Sequence, residues 1–241
     1  MQTELRYIEK PKLKRPVLVA GLPGIAHIGK LAAEYLIHKL EGIKFAEIYS
    51  SLFPEWVIRE DAVIKPLRVD FYYCRPEDLE RDLILATAEA QAVSPLGQYI
   101  LSGEILNVAA EYRANEVATM AAYVVSPHES RKPVVGSATD PELAEKLKQH
   151  GVELLDSGMI VGMNGLLVGL AWTKGMKGFC LLGTTQGGLL DIQATSRVLE
   201  RLAEVLGFKL ELSELYFYAN TLPRFKAIRR RIRGEEVSYI G

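Results

Sequence analysis

The stretch RPVLVAGLPGIAHIGKLAAEYLIHKL does most to limit the folds open to this chain. Val17 to Ala20 contain no polar residue, which reads as a buried strand, parallel and central in its sheet. A Gly/Pro turn follows at once. From about His27 onward, Ile28, Leu31, Ala32, Tyr35, Leu36 and Leu40 recur at helical spacing, so a helix follows the turn.

The same alternation continues downstream. Phe45–Ser50 reads as a strand, SLFPEW as an irregular segment with exposed aromatics, and DAVIKPLRVDFYYC as two short strands around Pro66. Leu83, Ile84 and Leu85 form a second buried strand. Pro95 opens a long helix running to about Arg113. Val117–Val125 and Pro133–Thr139 read as further strands. TDPELAEKLKQHG is a helix capped by Thr139 or Asp140 and ended by Gly151. A Gly-rich turn, a short helix and a buried strand from Phe179 to Leu182 follow. Asp191–Leu206 is strongly amphipathic, and a last helix begins near Ser213. Strands alternating with helices predict an α/β fold: one compact domain with a mostly parallel or mixed sheet, helices on both faces. The expected division is a single α/β domain over residues 1–233 and a flexible C-terminal tail over 234–241.

Gly24, four residues, Gly29 and Lys30 match the phosphate-loop pattern G-x-x-x-x-G-K-[ST] up to its last position. That position is Leu31, where a magnesium-binding hydroxyl is needed. The interior IAHI is apolar and suits packing better than a wrapped phosphate. The expectation is therefore a strand–turn–helix junction, with Pro23 fixing the turn and Gly24 at positive φ. No cofactor is expected.

Other chemistry is sparse. Gly24, His27, Glu89, Gln91 and Glu104 are the candidate pocket residues, near the end of a strand where open α/β sheets bind ligands. They could supply an acid/base pair and an orienting group. Polar residues that cap the next helix explain the same positions more simply. No histidine pair has ligand spacing, and no G-x-S-x-G elbow occurs, so neither a metal site nor a catalytic residue is assigned. GTTQGG at 183–188 reads as a turn. Cys74 and Cys180 lie far apart in apolar surroundings, which suits a reducing, cytoplasmic setting. The net charge of -1 argues against a nucleic-acid binder, and no apolar run is long enough to span a membrane. The basic run from Arg224 to Arg233 is the local exception.

The order of AGLPGIAHIG, LILATAEAQ, LGQYILSGEILNVAAEY, SGMIVGMNGLL and GFCLLGTT, followed by an amphipathic helix, resembles the archaeal branch of the proteasome-assembly-chaperone family, related to eukaryotic assembly chaperone 2. The resemblance runs from about Pro16 to Gly207. It implies a nucleoside-phosphorylase-like α/β fold without a demonstrated reaction. It also implies assembly as a homo-oligomer, or as a hetero-oligomer with a paralogous subunit, and proteasome α subunits as partners. Some relatives carry an ATP-grasp ligase label, which leaves a small-molecule or nucleotide-binding enzyme, with its pocket at the sheet's C-terminal edge, as the alternative.

Function then rests on surfaces. Phe53, Trp56, Tyr216 and Tyr218, with Arg229, Arg230 and Arg231, are the candidate interface residues, aromatics being enriched at interface hot spots. Family chaperones end in hydrophobic–Tyr–any residue. This chain ends in Tyr239, Ile240 and Gly241, which puts its tyrosine third from the end. A one-residue slip turns an extended side chain to the opposite face, so weak tail docking by this chain alone is expected.

Overall fold

Strand β2 (Val17–Ala20) lies between β7 (Leu83–Ala88) and β8 (Glu116–Val124) and is parallel to both. Strand β11 (Lys177–Thr185) continues the parallel block beyond β8. These features come from a computed structural model that describes residues 3–60 and 62–222. The two flanks of the block are antiparallel additions. On one side β6 (Arg68–Cys74), β3 (Ile43–Ser50) and β1 (Thr3–Tyr7) follow β7. On the other side β9 (Val134–Ala138) runs against β11, and β10 (Glu153–Leu154) runs parallel to β9. The order is β1-β3-β6-β7-β2-β8-β11-β9-β10, a mixed sheet.

Period-two alternation assigns the faces. Val17 and Val19 of β2 enter one core cluster, and Leu18 and Ala20 enter the other. The first face is covered by α1 (Ile28–Lys39), α3 (Pro141–Gln149), α5 (Ile192–Leu206) and α6 (Leu215–Thr221). The second is covered by α2 (Pro95–Glu111) and α4 (Met163–Thr173). Helix starts follow capping chemistry. Ser94, Asp140 and Asp191 accept from the amides of Gly97, Leu143 and Ala194 at 3.0, 3.0 and 2.9 Å. Asp140, not Thr139, is thus the α3 cap, and Asp191 is a cap rather than the first turn of α5.

The segment after β3 departs from expectation. SLFPEW does form turns, but Phe53 is only 8 % exposed and packs into the second core cluster. As an interface candidate it is corrected: an apolar ring three residues past a strand end finds its own core first. Trp56 is exposed. Beyond it a strand the sequence did not suggest, β4 (Val57–Glu60), pairs antiparallel with β5 (Val63–Pro66) in a separate two-stranded sheet. The register sets Val57 opposite Pro66 and Arg59 opposite Ile64, so these four residues share one face. All four are exposed, whereas Ile58, pointing the other way, packs against the core.

Candidate functional site

The turn after β2 is a packing junction. A Cβ on Gly21 would stand 2.0 Å from the carbonyl oxygen of Gly29, and one on Gly29 would stand 2.1 Å from that of Met120. Both glycines exist so that backbones can touch. Gly24 is different. Its φ of -167° is extended, and a Cβ there would meet nothing within 4 Å, so the expected positive φ at Gly24 is overturned. The left-handed residues are Ala26 (φ 52°) and His27 (φ 51°), which make the sharp entry into α1.

Lys30 is 1 % exposed, and its ammonium does not face the turn. It donates to the carbonyl of Ala88 at 2.6 Å and to Glu89 Oε1 at 2.8 Å, and stands 3.3 Å from Glu34 Oε1. The lysine of the phosphate-loop pattern is therefore an internal strut from α1 to the end of β7. Glu34 lies one helical turn beyond Lys30 on the same face, a spacing visible in the sequence that marked this role.

The carboxyl-terminal end of the parallel block is filled. Asn164, buried in the first turn of α4, accepts from the Leu22 amide at 3.0 Å and donates to the Leu22 carbonyl at 3.1 Å. Gln91 donates to the Pro23 carbonyl and accepts from the Met163 amide at 2.7 Å. Thr87 donates to the Gly21 carbonyl at 2.9 Å. Three side chains thus fasten the turn to β7 and α4. Glu89 is occupied by Lys30, and Gln91 by backbone. Glu104 sits on α2, taking a hydrogen bond from Asn107 at 3.4 Å, more than two helical turns from the helix start. His27 lies in the turn, where its neighbour Ala26 accepts from the Asp191 amide. The five candidate pocket residues are not drawn to one point. Among the described residues no group of three or more His, Cys, Asp or Glu is placed to hold a metal ion, and no helix is long and apolar enough to cross a membrane.

A roomier concavity lies elsewhere, and no sequence motif marked it. A groove of about 650 Å³ runs between α4 and the loop after β10. Leu155, Met159, Ile160, Val168 and Trp172 line it, with Tyr123, Ser137 and Thr139 contributing from the strands. Cys180 lies beneath, where burial pushes its thiol up to about 11, so it is a neutral packing group near neutral pH. A smaller hollow of about 270 Å³ lies over Glu34, Asp70 and Glu89, roofed by His38 and Tyr218. Tyr218 is half-buried, with its ring stacked 4.6 Å from that of His38. It donates to the Glu34 carbonyl at 3.2 Å. Tyr216 stays exposed on α6. Arg229, Arg230, Arg231, Tyr239, Ile240 and Gly241 lie outside the described residues, as does the boundary drawn at 233.

A nine-stranded mixed sheet with its ligand end closed by its own side chains defines an α/β protein whose exposed features are surfaces. Residues 18–223 match the PAC2 family, and the chain belongs to that family. An uncharacterized protein of Methanocaldococcus jannaschii is 37 % identical over 215 residues, covering 88 % of this chain and 82 % of that one. The crystal structure of Pyrococcus furiosus PbaB, an archaeal proteasome activator, superposes with a TM-score of 0.84 at 33 % identity, covering 96 % of this chain and 99 % of that one. Pyrococcus furiosus PbaA, an archaeal homolog of proteasome-assembly chaperone, gives 0.76 at 25 % identity over 96 % and 97 %.

Proposed function

We propose that this chain is a non-enzymatic, proteasome-directed factor of the assembly-chaperone kind, working as an oligomer through partner surfaces. The observation that carries this reading is the likeness to PbaB, which spans nearly the whole of both chains. The packed strand end supports it: a deep cleft with convergent polar groups is the mark of a small-molecule site, and here those groups bind one another. A phosphate-loop nucleotide site would need a lysine facing a phosphate, and Lys30 faces carboxylates. With a proteasome partner, the cytoplasm is the expected setting.

The test is a peptidase assay with an archaeal proteasome core particle, joined to a pull-down from the native host. The expected result is co-purification of proteasome α subunits. Stimulation by the isolated protein is expected to be weak, because Tyr239 stands one residue too far from the end. Recovery of no proteasome subunit would overturn the reading. Strong stimulation that is lost on deleting 239–241 would overturn the inference about the displaced tail while keeping the function.

A further inference from the structure

We infer that the β4–β5 hairpin of one copy of this chain seats in the α4 groove of a second copy, head to tail. This rests on the oligomer proposed above and specifies its contact.

An isolated two-stranded hairpin is marginal in water, so its apolar outer face needs a cover. That face carries Val57 and Ile64, with Ile64 68 % exposed, and Trp56 stands at its root, 48 % exposed. On the opposite face Ile58 packs against the core of its own chain, while Val63 on that face is 54 % exposed.

The groove has the opposite fault. Its lip residues Met159 and Trp172 are 90 % and 66 % exposed. Helix α4 carries no charged residue from Met163 to Thr173, unlike an ordinary surface helix. Gly169 lies in mid-helix on the groove wall, where a Cβ would meet nothing within 4 Å. Glycine weakens a helix interior, and no described residue crowds this position, so the groove wall is open there to a side chain from outside.

The two parts fit each other in charge and position. Arg59 is the one charged residue of the hairpin's outer face, and Asp156 is the one charged residue lining the groove. The hairpin emerges beside β3 and β6 on one flank of the sheet, and the groove lies over β9 and β11 on the other, with β7, β2 and β8 between them. One molecule cannot close this contact on itself, whereas side-by-side copies can, and repetition yields a ring or a filament.

Light scattering on size-exclusion chromatography tests the contact, with circular dichroism to verify folding. Wild type is expected to run as an oligomer. Ile64→Asp on the hairpin and Gly169→Phe in the groove are each expected to reduce it to monomer. An equal mixture of the two should form a dimer, since it holds one intact hairpin and one intact groove. Arg59→Asp should dissociate the oligomer and Asp156→Arg in the same chain should restore it. Folded variants that keep the wild-type mass, or a mixture that stays monomeric, would overturn this contact and leave the proteasome reading standing. A monomeric wild type would overturn both the contact and the oligomer.

Discussion

The ammonium of Lys30 lies 2.8 Å from Glu89 Oε1 and 3.3 Å from Glu34 Oε1, and the lysine is shut off from solvent. One cation thereby holds two carboxylates where α1 meets the end of β7. Removing it takes that cation from both. Lys30→Met is expected to cost about 3 kcal/mol, in the range for breaking a buried pair, whereas Glu89→Gln, whose partner keeps Glu34, should cost about 1 kcal/mol. Urea unfolding measures both. The same geometry predicts that calorimetry with ATP and magnesium gives no binding heat, and micromolar affinity lost in Lys30→Ala would contradict it.

The glycines of the first turn should separate sharply. Gly21→Ala and Gly29→Ala drive a methyl into a backbone carbonyl at 2.0 and 2.1 Å, and each is expected to cost more than about 4 kcal/mol or prevent folding. Gly24→Ala meets open space at an ordinary φ and should be neutral or stabilising by a few tenths to about 1 kcal/mol. Melting temperatures of the soluble variants decide it. Equal losses at all three positions would show that Gly24 has a role its geometry does not explain.

Asn164 satisfies both polar groups of Leu22 inside the protein. Asn164→Ala strands a buried amide and a buried carbonyl, at about 1–3 kcal/mol each. A total loss near 3 kcal/mol with an unchanged denaturant slope is the expected outcome. Asn164→Leu should be no better, since shape without hydrogen bonds leaves the same groups unpaired.

Burial pushes the Cys74 thiol up to about 12 and that of Cys180 up to about 11, against an ordinary value of 9.0. Both stay protonated in the native protein well past the pH at which an unfolded chain releases them. The native state then holds more protons, so stability falls as pH rises above about 9. Replacing both cysteines with alanine should flatten that fall, as read from melting temperature between pH 8 and pH 11. Native thiols should also react with a disulfide reagent far more slowly than unfolded ones at pH 8.

Local chemistry made much of the scaffold legible. Val17–Ala20 can only be a buried strand, because four apolar residues between a charged segment and a Gly/Pro turn leave no face for water. The start of α3 at Thr139 or Asp140 and its stop at Gly151 (φ 78°) follow from side-chain oxygen and glycine chemistry that acts within a few residues. Hairpin strand β4 was not legible, since its pattern VIRE is too short to show a period and its pairing partner is a turn away.

The sequence by itself determined the strands and helices of the parallel block and the missing hydroxyl at Leu31, because each depends on residues near one another in the chain. Only the tertiary structure decided what the polar residues do. Lys30 reaches Glu89 across 59 positions, Asn164 reaches Leu22 across 142, and the groove beside α4 is enclosed by segments from residue 123 to residue 180. Buried polar groups must find partners wherever the packed chain supplies them, and that supply is set by the crossing of distant elements, which no local pattern encodes.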